Sequence, residues 1–181
     1  MIEKVSDDDL RLITWTIMDG CLVKRINKTE GKEYIHHLQF KLSKQRKIKS
    51  LKKLLDRMEV PYTFRKATMS GLNKLQPYMI RIYGDYSRKI SDYYLNGVKQ
   101  FPSLILELNK KQAKVVLSII AITDGSKQNL RYIWSTVSSI DYDIIRCLCS
   151  IHNIKYRDYG KKIKRSGFPN GKPQYEMGFY L

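Results

Sequence analysis

ITWTIMDGCL (Ile13–Leu22) and LSIIAITDGS (Leu117–Ser126) are the two stretches that decide the fold. Each ends an apolar run at the dipeptide Asp-Gly, at Asp19-Gly20 and at Asp124-Gly125. A single Asp-Gly stop is ordinary, because glycine supplies a left-handed helix cap and aspartate tolerates the turn. Recurrence at the end of two helices that are apolar nearly all round is not, since such helices have to be buried on several sides. Packing the two against each other would bring Asp19 and Asp124 to one end. Carboxylates placed together repel unless a cation or a proton intervenes. A hard divalent cation that bridges to phosphate, magnesium above all, satisfies that requirement.

Reading outward from the Asp-Gly ends exposes a repeat. The first helix starts after Ser6-Asp7-Asp8-Asp9, where a serine or aspartate cap and early carboxylates favour a helix start. The second, KKQAKVVLSIIAIT, starts after Asn109. Gly20 is followed by a hairpin, CLVKRI, a turn at 27–32, then EYIHHLQFKL, in which Leu38, Phe40 and Leu42 alternate with His37, Gln39 and Lys41. Gly125 is followed by a shorter hairpin whose IWSTVS lies over LQFKLS. Amphipathic helices are expected from Gln45 to Glu59 and from Ile140 to His152. VPYTFR and IKYRDY then lead into strands, and YMIRIYG is matched by YEMGFYL.

Helix, strand, strand, helix, strand, strand thus occurs twice in one order. The fold class is α+β: two pseudo-symmetric αββαββ units whose mixed or antiparallel saddle-shaped sheets are packed through the two Asp-Gly helices. The expected units are residues 1–100 and 110–181, joined by a linker at 101–109, with one extra helix near Ser87 to Leu95 in the first.

A formal charge of +17 and a pI near 9.8 accompany 43% hydrophobic residues, so the basicity belongs to a folded protein whose default partner is a polyanion. The three cysteines, Cys21, Cys147 and Cys149, form no paired motif and suit a reducing compartment. His36, His37 and His152 have no zinc-ligand spacing, and adjacent histidines on an alternating strand point to opposite faces. The charged start and the shortness of the longest apolar run, Val115 to Ile122, predict neither secretion nor membrane insertion, hence a soluble intracellular protein.

At this point the sequence resembles the LAGLIDADG homing endonucleases in their single-chain, two-motif form. The resemblance covers essentially the whole chain. It rests on the two motifs quoted above, on HLQFKLSKQRKIKSLKKLLDRMEVPYTFR and on YMIRIYG. It implies a monomeric, sequence-specific endonuclease that cuts double-stranded DNA at a long asymmetric site, using Mg2+ or, in its place, Mn2+. Asp19 and Asp124 would be the catalytic and metal-binding carboxylates.

Two departures from the family pattern stand out. The crossing of the motif helices would involve Thr14 and Met18 on one side and Ser118 and Ala121 on the other, and the first pair is bulkier than usual. The strand-end lysines common in active members are replaced by Tyr83-Gly84 and Tyr180-Leu181, which leaves Lys44, Gln45, Arg81 and Lys89 as the nearest substitutes. The alternative is a relative without cleavage, a DNA-binding regulator or an intron RNA splicing helper. A structural basic protein would explain the charge but not the repeat.

If Leu38, Phe40 and Leu42 face the helices, then His37, Gln39, Lys41, Thr63, Arg65 and Arg81 face DNA, where side chains of these types meet base edges and phosphates. Lys24, Arg25 and Lys28 would extend the contact along the first hairpin. The second unit offers Tyr132, Trp134, Thr136 and Arg157 on the equivalent face, with Lys161, Lys162 and Lys164 in the following loop. Where strand meets helix, Lys44, Gln45, Arg46 and Lys47 are phosphate candidates. Base readout is expected to come mostly from the first unit.

Overall fold

The computed structural model describes residues 5–69, 75–92, 99–162 and 174–181. It divides into two units, Met1–Lys99 and Gln100–Leu181. The first begins with α1, Asp7–Asp19, capped by the Ser6 side chain, which accepts from the Asp9 amide. Helix α1 is followed by strands β1, Gly20–Ile26, and β2, Glu33–Leu42, then α2, Gln45–Arg57. Strands β3, Tyr62–Lys66, and β4, Tyr78–Ile82, and helix α3, Asp85–Ser91, complete it. All pairings are antiparallel, in the order β1-β2-β4-β3.

The second unit repeats the plan. Helix α4, Lys110–Thr123, starts on a capping box made by Asn109 and Gln112. A short hairpin follows, β5, Ser126–Gln128, and β6, Arg131–Thr136. Then come α5, Ser139–Ile151, β7, Tyr156–Lys162, and β8, Gln174–Phe179, in the antiparallel order β5-β6-β8-β7. The fold class is therefore α+β, with two similar units and purely antiparallel sheets. Segment 101–109, expected as a linker, contains a 3-10 turn, Ser103–Glu107, and buries Phe101, Ile105 and Leu108. The Phe101 amide donates to Asp141 at 2.8 Å, which ties this segment to the start of α5.

The first core lies between the helices and one face of the sheet. Leu38, Phe40, Leu42, Ile80 and Ile82 fill it from the strands, and Leu51, Leu54 and Leu55 from α2. Every residue from Leu12 to Ile17 is buried, so α1 is enclosed on all sides, as its composition predicts. Trp15 meets Phe40 edge-on, with ring centroids 6.5 Å apart and planes at 88°. Thr14 and Thr16 survive this burial by donating to the carbonyls of Leu10 and Leu12, at 2.8 and 2.7 Å.

The Asp-Gly ends differ from expectation in one respect. Gly20 is extended, at φ −80° and ψ 166°, and is no left-handed cap. Its lack of a side chain is required for another reason. A β-carbon there would lie 2.7 Å from the Thr16 α-carbon, 2.8 Å from the Thr16 oxygen and 3.0 Å from the Phe40 ring. At Gly125 it would lie 2.6 Å from both the α-carbon and the oxygen of Ala121. The chain turns from helix into strand so closely that it brushes the preceding helical turn.

Because the obstruction is backbone, it cannot swing aside. Gly20→Ala and Gly125→Ala are each expected to destabilise the protein by about 1–3 kcal/mol. Urea unfolding of the two variants checks this through a lowered midpoint at unchanged slope.

Candidate catalytic pocket and nucleic-acid face

Asp19 is the last residue of α1, and the burial of that helix fixes where its carboxylate emerges. The first turn of α2 reaches it. Lys47 donates from Nζ to both carboxylate oxygens of Asp19, at 3.0 and 2.8 Å. The side chains are only 10% and 18% exposed, so this pair is shielded from solvent in a way that surface ion pairs are not. Lys47 was expected as a phosphate ligand, and Lys44, Gln45, Arg81 and Lys89 as substitutes for the missing strand-end lysines. The structure gives the position beside the carboxylate to Lys47. Lys89 is engaged elsewhere, 2.9 Å from Asp9.

The signal for Lys47 was present in the sequence. In α2 the buried residues are Lys47, Ile48, Leu51, Leu54 and Leu55, so the lysine occupies the inward stripe and cannot belong to the solvated face. A cavity of about 380 Å³ opens beside the pair, lined by Asp19, Lys41, Leu42, Ser43, Lys44, Lys47 and Leu75. Helix α2 starts there without a side-chain cap or a first-turn acid, which leaves the positive end of its dipole available to an anion. In the second unit Asp124 caps α4, one residue past its end, and is exposed.

Among the described residues no group of three or more His, Cys, Asp or Glu side chains could hold a metal ion. A hard carboxylate such as Asp19 nevertheless suits magnesium or manganese. Such ions are commonly held by one or two carboxylates, with phosphate and water oxygens completing the shell.

The register defines the face of the first sheet that its own helices leave uncovered. Gln39, Arg81 and Thr63 are directly paired across β2, β4 and β3, and Lys41, Met79 and Arg65 form the next row. These polar residues therefore line one face, as their alternation predicts. Arg25 lies on the same face, whereas Lys24 points to the opposite one and holds Glu33 at 2.8 Å. Lys28 is exposed in the hairpin turn. The Arg81 Nε is shielded from solvent and has no hydrogen-bond partner.

His36 and His37 depart from strict alternation. The register slips between Val23 and Lys24, whose partners are His37 and Ile35, so His36 is the extra residue of a β-bulge. A bulge re-aims side chains, and here it brings the imidazoles together, their Nδ1 atoms 2.5 Å apart. Tyr83 packs on both rings, at centroid distances of 5.8 and 5.2 Å. His37 is only 4% exposed and contributes little contact surface.

In the second unit the expected face is inverted. Trp134 is 2% exposed and pairs with the buried Met177, and Tyr132 pairs with the buried Phe179. Tyr132, Trp134 and Thr136 thus share the core-facing parity, and the uncovered face carries Arg131, Ile133 and Ser135. The cause is a one-residue error in laying IWSTVS over LQFKLS. Trp134 corresponds to Phe40, and a shift of one turns every side chain over.

Arg157 lies on the uncovered face as expected, opposite Gly178. Tyr159, the extra residue of a second bulge, stands between Arg131 and Arg157, whose guanidinium carbons lie 5.6 and 5.5 Å from its ring. Lys161 is exposed, Lys162 belongs to β7, and Lys164 lies outside the described residues. Of the expected helix-crossing residues, Thr14 and Ala121 are buried and Met18 and Ser118 half-buried.

No protein-family model matches the sequence, and no curated protein is significantly similar to it. Solved structures do match. I-DmoI in complex with DNA and Mn is 14% identical, with a TM-score of 0.64 over 97% of this chain and 90% of its own. The N-terminal LAGLIDADG domain of DUF199/WhiA gives 11% identity and a TM-score of 0.54 over 99% of this chain and 78% of that one. This chain has the LAGLIDADG fold. Full-length DUF199/WhiA from Thermatoga maritima is also similar, at 11% identity and a TM-score of 0.55, over 99% of this chain and 53% of its own. I-DmoI is described as a homing endonuclease. In I-DmoI a similar fold is found in complex with DNA and Mn.

Burial, followed by the nearby charges of Arg81, His36 and Arg25, holds the His37 imidazole below the ordinary histidine range, against the opposing effect of the hydrogen bond that His37 Nε2 donates to Gln39 Oε1. The unfolded chain therefore takes up this proton first, and stability falls as pH drops through about 6.5. Thermal unfolding measured between about pH 7.5 and 5 is expected to show a shallower acid-side loss in His37→Gln than in the parent.

Proposed function

We propose that the protein is a sequence-specific, divalent-metal-dependent endonuclease of double-stranded DNA. The observation that carries the reading is the Asp19–Lys47 pair, set at the rim of a cavity whose lining also includes Lys41 and Lys44. It places a hard carboxylate, a shielded ammonium and an anion-attracting helix start around one volume. A solvated basic surface has no use for a buried lysine on a carboxylate, and phosphodiester hydrolysis does. The similarity of the fold to a DNA-bound, manganese-containing homing endonuclease supports the same reading.

In this mechanism Asp19 and Asp124 hold divalent ions, with Mg2+ the expected physiological one and Mn2+ a substitute. When bound, such an ion activates water and neutralises charge developing on the phosphate. The chain's own residues do the rest. Lys44 and the start of α2 draw the phosphate into the cavity, and Lys47 orients the Asp19 carboxylate and balances its charge. In the first unit Gln39, Lys41, Thr63, Arg65, Arg81 and Arg25 read the duplex. In the second, Arg157 does so with Arg131, a residue hidden from the sequence by the register error. The unequal composition of the two faces favours a long asymmetric target, read mostly by the first unit, and a protein acting as a monomer.

Asp19→Asn and Asp124→Asn are each expected to lower the cleavage rate at least about 100-fold while leaving duplex affinity within a few fold. Lys47→Met should lower cleavage about 100-fold, and Lys47→Arg should restore part of it. Plasmid libraries carrying random inserts, incubated with and without magnesium, supply both a target and the rate. Undiminished cutting by the aspartate variants would defeat the assignment.

Binding itself has a separate readout. Replacing Lys44 and Arg46 by glutamine should flatten the dependence of log affinity on log salt by about 0.9 for each lost phosphate contact. An unchanged slope would remove the start of α2 from the interface.

A further inference from the structure

The helix-bearing side of the first sheet has a cationic surface of its own, on the face opposite the proposed duplex contact. Strand β3 is the sheet edge, and Phe64, although its parity points to the helices, remains 42% exposed. It stacks on Tyr78 of β4 with ring centroids 5.0 Å apart and planes within 7°. Lys52 of α2 brings its Nζ to 4.8 Å from the Phe64 centroid. Lys66 is the cross-strand partner of Tyr78 and is exposed, as are Lys49 and Lys53 on α2.

A lysine run that only keeps a helix soluble needs no exposed aromatic ring under one of its ammonium groups. The two together have the chemistry of a site for unpaired nucleotides, in which a base face extends the stack and the phosphates on either side meet ammonium groups. A duplex cannot use such a site, because its bases are already stacked within the helix. Lys52 couples the two halves of the interaction. With Tyr78 stacked on Phe64 and the Lys52 ammonium lying over the ring, a base joins the stack by displacing that ammonium, and the flexible lysine stem lets the charge follow the phosphate.

We propose that Phe64 and Tyr78, flanked by Lys52, Lys66 and Lys49, form a binding site for single-stranded nucleic acid, separate from the duplex face. The site does not depend on the nuclease reading. A chain that never cut DNA could still carry it.

Fluorescence anisotropy with the full chain tests this, using labelled short oligouridylate and oligothymidylate as probes. Binding is expected to persist in excess unlabelled duplex. Phe64→Leu should weaken it about tenfold, whereas Phe64→Tyr, which keeps the ring, should retain it. Lys52→Gln and Lys66→Gln should flatten its salt dependence. The two probes share unpaired bases and phosphates and differ in the sugar, and both are expected to bind. Equal affinity of Phe64→Leu and parent, loss of the probe to duplex competitor, or equally Phe64-dependent binding of polyglutamate would each overturn the proposal.

Discussion

A β-carbon has no room at Gly20 or Gly125, and the architecture of each unit follows from that. In both places an enclosed apolar helix ends and the chain leaves at once as the first strand, so close to the helix that a β-carbon at the glycine would fall within 3 Å of the backbone one turn back. Such an exit fixes the direction of β1 relative to α1 and of β5 relative to α4. It also holds the residue just before the glycine at the helix end. In both units that residue is an aspartate. The glycine is thus a steric condition for presenting the carboxylate, and its conformational freedom is not what is used.

Burial does the remaining positioning. With Leu12 through Ile17 all removed from water, α1 has little freedom to rotate or slide, because any displacement would open cavities against Phe40 and its neighbours. Asp19 inherits that rigidity. Lys47 inherits a comparable constraint from α2, whose inward stripe it shares with Ile48, Leu51 and Leu55. A shielded pair between two packed helices keeps its geometry without the side-chain entropy that surface pairs forfeit.

Much of this was legible in the sequence, for reasons that also account for the failures. The helices could be read from caps and apolar runs, and the repeat from the order of its elements. The uncovered face of the first sheet could be read from the alternation of Leu38, Phe40 and Leu42. IWSTVS defeated the same logic because Ile133 and Trp134 are both buried, so alternation gives no parity there. Ile133 is covered from the uncovered side, where Gly178 leaves a hollow into which Ile133, Arg131 and Tyr159 close. The histidine pair escaped because a bulge is a property of two strands together and cannot be seen in either alone. Lys47 is legible as a phosphate candidate where strand meets helix, but not as the partner of Asp19. Only its phase on the helix, i and i+4 from Leu51, separates it from the solvated lysines around it.

The cavity beside Asp19 carries three lysines against one carboxylate, and this imbalance bears on how a metal could be used. A divalent ion approaching the empty cavity would meet the Lys47 ammonium on the very oxygens it needs, with Lys41 and Lys44 adding to the repulsion. A DNA phosphate entering first would cancel part of that excess positive charge, give Lys44 an anion to hold, and supply the further hard oxygens that magnesium requires. The two ligands therefore assist one another, each lowering the electrostatic cost of the other. On that account the proposed role of the Asp19–Lys47 pair would begin before any DNA arrives. Lys47 balances the Asp19 carboxylate in the cavity as it stands, and an entering phosphate would offer the lysines around it a second anion.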